Sequence, residues 1–376
     1  MTPFIARAEN GCLVGSRERL NARDGTEGLA LHQGQRLTPL LADVLLGARF
    51  VPVWIATGVL MLVAAIIAPA ALQSTSWAFV LPYMTVLALA ALGQMLVVMH
   101  AGIDLSTPGV MFLGGYLIVG VGQGSNDRLA PAILACLGLG LLVGLVNGIL
   151  VGILQLNPLI VTLAVGQIVF AEGLHYSNGL AETDVPSRLS SFAQNRPIGI
   201  ISIVFWVGAG ITLAVALLLR YTAPGRRFQA VGANPRAAWM AGVHVRAHVV
   251  FAYTAAATLY AIAAVLLAGV RISVDPSFGS AYLLAPIAAV VIAGASLAGG
   301  LASASSTWIA ALALTLLPQM LLIRGLDPAM QYVVFGAAIL VGMMISGDRF
   351  AWLLGRVLRP IEARSAGRVG TNQTTS

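Results

Sequence analysis

Long charge-free apolar runs alternate with short polar segments along this chain. The first run, from Phe50 to Met99, holds no Asp, Glu, Lys or Arg. Because about 20 apolar residues cross a bilayer as a helix, this run is long enough for two helices, divided at the polar residues 73–76. The pattern predicts helices that cross a membrane repeatedly. Later charge-free runs cover 105–126, 129–171, 197–219, 249–270, 276–323 and 328–347.

Turn-forming dipeptides divide the two longest later runs. Asn157-Pro158 separates one pair of helices and Gly299-Gly300 another. We therefore predict an all-α membrane protein, a helical bundle of about ten transmembrane spans within residues 50–347. The third span is short and glycine-rich, which favours a helix that is tilted, broken or buried inside the bundle. The expected spans are 51–72, 77–99, 107–122, 130–154, 158–176, 199–219, 249–270, 281–298, 302–322 and 328–346.

The arginines are divided unequally between the two sides of this bundle. The polar tail 1–49 holds 6, the connection 220–248 holds 5 and the tail 348–376 holds 5, whereas the connections on the opposite side hold 5 in all. Since cytoplasmic segments of membrane proteins carry an excess of Arg and Lys, we predict that both tails and the connection 220–248 are cytoplasmic. The connection 177–198 is then external. No signal-type apolar core precedes Phe50, so we expect the first span to stay in the membrane.

The composition agrees with this picture and excludes several kinds of site. Apolar residues make up 58% of the chain and charged residues 9%, whereas about a quarter of the residues of soluble proteins are charged. All 21 basic residues are arginine, so the chain has no lysine for a P-loop or a Schiff base. Cys12 and Cys136 are too few for a disulfide framework or a metal site. We ascribe the net charge of +7 to membrane orientation and expect neither a metal nor a nucleic-acid partner.

The connection 220–248 contains signals for a short helix. Asn234 is suited to cap the first free N–H groups, Pro235 to the first helical position, and Gly242 to the stop. About two turns separate these signals, which is marginal for an isolated helix in water, so the helix must pack against something. One interpretation is an amphipathic turn on the lipid surface, with Trp239 at the interface. The other is a docking helix that fits a groove on a cytoplasmic partner.

Six motifs occur in order from the second span to the last, and together they carry a resemblance. The segment from Thr222 to Val243 has a glycine-arginine pair followed by a GxN..AA...G helix. The whole series resembles the ribose/galactose-type inner-membrane permeases of bacterial ABC importers. His100 and Thr107-Pro108, on either side of the first motif, depart from that family's usual residues. The other motifs are AGIDLS (101–106), GLVNG (144–148), NPLIVTL (157–163), AGASLAGG (293–300) and GLDPAMQ (325–331).

The resemblance implies that the chain is the permease subunit of an ATP-driven, binding-protein-dependent importer and not an enzyme. A cytoplasmic ABC ATPase would bind ATP and Mg²⁺, so this chain would hold no cofactor itself. A periplasmic sugar-binding protein would deliver a pentose or hexose, and a second permease subunit, identical or closely related, would complete the pore in the lipid bilayer of the inner membrane. The short helix would be the coupling helix, with Ala238 facing the groove of the ATPase. The implied coupling residues are Gly225, Arg226, Gly232, Asn234, Pro235, Ala237, Ala238, Trp239, Met240 and Gly242.

Two of the motifs stand at cytoplasmic ends of spans and are candidate gate or packing segments. In AGIDLS, Asp104 and Ser106 lie where a helix beginning at Thr107 needs capping acceptors, so a structural role competes with a functional one. AGASLAGG has no ionisable group, and its small residues favour a turn near the gate or close packing. The candidate residues are Gly102, Asp104, Ser106, Gly294, Ser296, Gly299 and Gly300.

Polar side chains within the spans mark a candidate translocation path, because hydrocarbon would leave their hydrogen-bonding groups without partners. Interhelical hydrogen bonding is the alternative role for each of them. The set is nearly uncharged, which suits a neutral hydroxylated solute. Its members are Gln94, Asn147, Gln167, Glu172 and Gln319.

Two other classes of function compete with an ATP-driven importer. An ion-coupled secondary transporter of a small neutral solute needs ionisable residues deep in the bundle, and Glu172 alone is partly placed for that. An intramembrane enzyme needs paired carboxylates, a nucleophile with its base, or a metal triad, and the predicted spans contain none of these.

Overall fold

The computed structural model describes residues 50–300 and 302–327, with a few isolated residues between 330 and 340. The tail 348–376, the tail up to residue 49 and most of the predicted tenth span, 328–346, lie outside the described residues. In the described part, β-structure is limited to two isolated bridges, Glu182–Val274 and Ile198–Ile201. The helices are α1 (Val51–Ile67), α2 (Ser74–Val98), α3 (Thr107–Gly122), α4 (Leu129–Gly148), α5 (Pro158–Ser177), α6 (Ser187–Gln194), α7 (Ile203–Tyr221), α8 (Ala223–Ala233), α9 (Pro235–Met240), α10 (Val245–Arg271), α11 (Ala285–Ile292) and α12 (Ala304–Ile323).

Six of these helices are long and apolar enough to cross a membrane: α2, α4, α5, α7, α10 and α12. Helices α1 and α3 are apolar but shorter, and α4 continues through a π-helical turn at Ile149–Ile153. The structure thus confirms a helical membrane architecture, and the number of ten spans stays a prediction. The glycine-rich third span is α3, which is mostly buried within the bundle, one of the three alternatives considered for it.

The prediction of a continuous eighth span over 281–298 is wrong. A 3₁₀ turn at Ser280–Tyr282 precedes α11, and α11 ends at Ile292. At 1.5 Å per residue, this helix is only about 12 Å long, far less than the roughly 30 Å hydrocarbon core. The chain leaves the helix because Gly294 has φ +93°, a conformation that few other residues adopt.

Helices α2 and α10 form the centre of the bundle. Helix α10 packs against α2, α3 and α4, while α2 also contacts α7, α11 and α12. Most of α2 is buried, because other helices surround it on all sides. The absence of a polar face from its sequence agrees with this position. Helices α4, α5 and α7 instead leave wide apolar surfaces uncovered.

Close contact between α4 and α10 depends on glycines spaced four residues apart. A Cβ atom added to Gly140 would lie 2.7 Å from the Ala257 carbonyl oxygen, and one added to Gly144 would lie 2.6 Å from the Thr254 Cα. Without side chains at these positions the two backbones approach directly. Membrane helices associate through such close packing, because an apolar side chain gains no hydrophobic free energy by leaving lipid for another helix.

This contact predicts opposite effects for two Gly→Ala substitutions on the same helix. We expect Gly144→Ala to lower the free energy of unfolding by about 1–3 kcal/mol, because its methyl group meets backbone atoms of α10 that cannot rotate away. Gly138→Ala is the matched control, since nothing lies within 4 Å of its added Cβ, and higher helix propensity should stabilise it by up to about 1 kcal/mol. Thermal unfolding of the purified chain in detergent measures both; equal midpoints would contradict the packing.

Candidate coupling and gate site

Two consecutive short helices, α8 and α9, replace the single helix predicted in the connection 220–248. The hydroxyl of Thr222 accepts a hydrogen bond from the Gly225 N–H at 3.1 Å and caps α8, which the sequence analysis missed. The Asn234 side chain accepts from the Ala237 N–H at 3.0 Å and caps α9, as predicted. Both are N-cap bonds of the kind that Thr and Asn form most readily.

The C-terminus of α9 also follows the prediction. Gly242 has φ +80°, its N–H donates to the Trp239 carbonyl at 2.9 Å, and the Val243 N–H donates to the Ala238 carbonyl at 3.0 Å. This pair of bonds is the usual way in which a glycine ends a helix. The ends of α9 are therefore fixed by its own sequence, from Pro235 to Met240.

The exposed face of α9 is not the one expected. Ala238 is 5% exposed, so the prediction that it faces the groove of a partner is wrong. Trp239 and Met240 are instead 72% and 75% exposed. Six residues are too few to show helical periodicity, and the buried side is set by the contact of α9 with α8 and α10.

Two of the predicted coupling residues are packing positions. Gly225 lies against the Leu218 carbonyl and Gly232 against the Met99 carbonyl, each so closely that a Cβ would collide with the oxygen. Gly225 permits the tight corner between α7 and α8. Gly232 brings the end of α8 against the turn that follows α2. Arg226 is exposed and donates through Nη1 to the Tyr221 carbonyl at 3.0 Å.

Two of the sequence motifs meet at Met99, two residues before a third motif, AGIDLS. Its carbonyl oxygen accepts a hydrogen bond from the Gly300 N–H at 2.9 Å, and Gly232 packs against the same oxygen. A Cβ on Gly299 would lie 3.0 Å from the Gly232 carbonyl oxygen. Gly299 and Gly300 have φ of +95° and +92°, which suits glycine alone. We call this contact of Met99, Gly232, Gly299 and Gly300 the glycine junction.

An aromatic contact reinforces the glycine junction. The rings of His100 and Phe228 stack edge to face with centroids 4.2 Å apart, so the turn after α2 touches the middle of α8. His100 is held by its own helix through a contact between Nδ1 and the Leu96 carbonyl at 3.3 Å. Helix α8 therefore contacts the turn after α2 through its middle as well as through its end.

The AGIDLS segment is held by buried hydrogen bonds from several helices. Asp104 Oδ1 accepts from the Ser106 N–H at 2.9 Å and from its hydroxyl at 2.6 Å. Asn147 of α4 donates to the Ser106 hydroxyl at 3.0 Å, and the Thr162 hydroxyl of α5 accepts from the Leu105 N–H at 2.9 Å. Ser106 stands at the N-cap of α3, but its side chain makes no capping bond, so the predicted cap is wrong and Asp104 stabilises the turn instead.

Gln94 of α2 fixes the same segment from the other side. With its amide oriented to satisfy both atoms, it donates to the Asp104 carbonyl at 3.0 Å and accepts from the Asp104 N–H at 3.2 Å. Buried oxygens of Asp104, Asn147 and Tyr253 have no partner within the described part of the chain. Burial raises the pKa of the Asp104 carboxyl to about 6, and the hydrogen bonds from Ser106 oppose that rise.

The candidate path residues separate into two groups. Gln94 and Asn147 are fully buried and hold helices together, which is the alternative role considered for them. Gln167 and Glu172 lie on an uncovered face of α5, and Gln319 is half-buried on α12. Of the gate candidates, Gly102 packs against the hydroxyl of Tyr253, Gly294 ends α11, and the Ser296 carbonyl accepts from the Gly299 N–H.

Comparison with known families accounts for this arrangement of motifs. The profile of a family described as "Branched-chain amino acid transport system / permease component" matches residues 76–343. The chain belongs to this family. Its members are permease components, and the match runs from α2 past α12, so it includes the glycine junction, α8 and α9.

Several curated relatives of this permease are named as sugar import permeases. It is 34% identical over 209 residues to a fructose import permease of Rhizobium meliloti, covering 53% of this chain and 58% of that protein. It is 28% identical over 207 residues to the ribose import permease of Escherichia coli K12, covering 54% and 64%. It is 34% identical over 195 residues to the galactofuranose transporter permease of the same strain, covering 48% and 52%. The chain thus spans only part of the length of these relatives, and no solved structure matches it significantly.

The buried turn at Asp104 predicts how two substitutions differ. Asp104→Ala removes the acceptor for two buried donors of Ser106 and should lower the free energy of unfolding by about 1–3 kcal/mol. Asp104→Asn keeps an acceptor oxygen at Oδ1 and should cost less. Thermal unfolding of the purified chain at pH 7 measures both variants, and similar losses would contradict the role of Oδ1.

Comparison of the wild type with Asp104→Asn also tests the titration of the Asp104 carboxyl. Its folded-state pKa of about 6 exceeds the ordinary value of 3.8, so the folded state binds the proton more tightly than the unfolded state. The contribution of the protonated Asp104 carboxyl to the free energy of unfolding is present below about pH 4 and is lost as the pH rises to about 6. The wild type should therefore lose stability over this range relative to Asp104→Asn, and parallel pH profiles would contradict a titrating carboxyl.

Proposed function

We propose that this permease is the membrane subunit of an ATP-driven, binding-protein-dependent importer of a monosaccharide, a pentose or hexose. The observation that carries the proposal is the glycine junction, where the end of α8, next to α9, contacts Met99 just before AGIDLS and Gly299 of AGASLAGG. A separate ATPase that moves α9 would thereby move the turn after α2 and the turn after α11. The names of the fructose, ribose and galactofuranose permeases support a sugar as cargo.

In this proposal α9 is the surface that receives the cytoplasmic ATPase. Two large apolar side chains, Trp239 and Met240, project from a helix whose remaining side chains are small or polar. Aromatic residues of this kind supply most of the binding energy of protein interfaces. ATP and Mg²⁺ would bind to the ATPase, and this chain would hold no cofactor. Both tails and α9 would then lie on the cytoplasmic side of the inner membrane, in agreement with the distribution of arginine.

A second permease subunit, identical or closely related, would pair with α5. This helix leaves Gln167, Glu172 and His175 uncovered in the single chain. An ionisable side chain facing lipid is costly, so a face with these three residues favours contact with a protein or a water-filled path. The two copies of α5 would line a pore between the subunits, into which a periplasmic sugar-binding protein releases its ligand. Closure of the ATPases would switch the pore between outward and inward access.

An ion-coupled secondary transporter remains the alternative, and transport by purified components separates the two. Proteoliposomes that contain the permease, its ATPase and its sugar-binding protein should accumulate sugar only with all three components and ATP. Accumulation by the permease alone, driven by a proton or sodium gradient, would establish the alternative.

The exposed residues of α9 give the coupling prediction. The double variant Trp239→Ala, Met240→Ala should insert normally and lose ATPase binding at least tenfold, because removal of a central aromatic contact costs about 2 kcal/mol or more. Trp54→Ala is the control, since Trp54 is a half-exposed tryptophan on α1, far from α9 in the chain. Co-purification and ATP-dependent uptake are the measurements, and unchanged binding of the double variant would refute docking on α9.

The uncovered face of α5 gives the path prediction. Gln167→Leu should reduce uptake roughly two- to tenfold, the value of one hydrogen bond to a sugar hydroxyl, while ATPase binding is unchanged. Ile168→Leu, at the next and equally uncovered position, should transport normally. Equal uptake by the two variants in the reconstituted system would place the path elsewhere.

A further inference from the structure

An apolar groove of about 550 Å³ lies where α7, α8 and α10 meet, with one lining residue each from α2 and α4. Its walls include Leu218, Phe228 and Phe251. Thr254 and Thr258 also line it, but their hydroxyls donate to the carbonyls of Val250 and Thr254, each at 2.8 Å. Neither hydroxyl therefore has a free proton to donate to a sugar or another polar solute.

The groove has the length of a lipid chain. Along α10 it extends from Ala247 near the start of the helix to Leu259, which at 1.5 Å per residue is about 18 Å. One leaflet of the hydrocarbon core is about 15 Å thick. Phe251, between these two positions, is 54% exposed in the groove wall. The dimensions and the apolar lining fit one acyl chain that enters the bundle beside α8.

The α8 end of the groove carries positive charge that no ion pair among the described residues neutralises. Arg226 follows the lining residue Gly225, and Arg246 precedes the lining residue Ala247; both arginines are exposed. The chain contains no Asp or Glu between Asp184 and Asp275, so neither arginine has an acidic neighbour in its own segment. An arginine guanidinium binds phosphate through charge-assisted hydrogen bonds.

We propose that this groove is a binding site for an anionic phospholipid. One acyl chain fills the groove, and Arg226 and Arg246 bind the phosphate at its α8 end. Basic residues at the ends of apolar crevices between membrane helices bind the headgroups of anionic lipids. The groove wall includes Gly225 and Phe228 of α8, and Phe228 packs on His100, so the bound lipid stabilises α8 in its contact with the glycine junction.

The test compares lipids on the full purified chain without any ATPase, so its result is independent of the proposed transport function. Native mass spectrometry after delipidation measures how much phosphatidylglycerol or phosphatidylcholine is retained at equal mole fraction. We expect phosphatidylglycerol to bind more tightly. The double variant Arg226→Gln, Arg246→Gln should weaken that preference by roughly fivefold for each arginine.

Matched variants separate the groove from general surface charge. Arg236→Gln, on exposed α9 outside the groove wall, should keep the preference for phosphatidylglycerol. Ala255→Trp fills the groove and should reduce retention of both lipids, whereas Leu213→Trp, on the exposed surface of α7, should not. If Ala255→Trp does not fold, Ala255→Leu provides the same comparison with a smaller change.

Three outcomes would overturn the proposal. Equal retention of the two lipids would show that the site does not select an anionic headgroup. Unchanged lipid retention by the folded Ala255 variant would show that the groove does not hold the acyl chain. A loss of dimer rather than of lipid in that variant, measured as the mass of the intact complex, would assign the groove to a second copy of this chain.

Discussion

The close approach of backbone to backbone at the Met99 carbonyl is the constraint on which the functional part of this structure depends. Gly300 donates a hydrogen bond to this oxygen, and Gly232 packs against it without a side chain between them. Any other residue at Gly232 would place a Cβ on the oxygen and separate α8 from the turn after α2. Because no side chain lies between them, α8 and the turns after α2 and α11 are in direct main-chain contact.

Next to the glycine junction, polar side chains form hydrogen bonds that hold the irregular segment 101–106 inside an apolar bundle. Irregular backbone at such a place needs partners for its N–H and carbonyl groups, since neither lipid nor packed side chains provide them. The Gln94 side chain bonds both the N–H and the carbonyl of Asp104. The Leu105 N–H donates to the Thr162 hydroxyl, and the Ser106 N–H donates to the Asp104 carboxyl. The segment is thus fixed to α2 and α5, and through Asn147 to α4.

Sequence reasoning succeeded where the signal is local. The start of α9 at Asn234-Pro235 and its end at Gly242 were predicted, because a cap and a positive-φ glycine act within one turn of chain. It failed where a distant contact decides. The burial of Ala238 depends on α8 and α10, and the cap expected from Ser106 is absent because its hydroxyl bonds Asp104 and Asn147 instead. The eighth span was predicted too long because AGASLAGG is apolar enough for a helix, yet its glycines form turns at the junction.

The sequence by itself determined that this chain is a helical membrane protein without lysine chemistry, which motifs it carries, and where α9 begins and ends. Those properties follow from composition, from charge and from interactions within a few residues. Only the tertiary structure decided that Gly232 and Gly300, from two separate motifs, meet at the carbonyl of Met99, that Trp239 and Met240 rather than Ala238 are exposed, and that an apolar groove opens beside Arg226 and Arg246. These depend on which surfaces remain after the helices have packed, and packing in three dimensions is not periodic in the sequence.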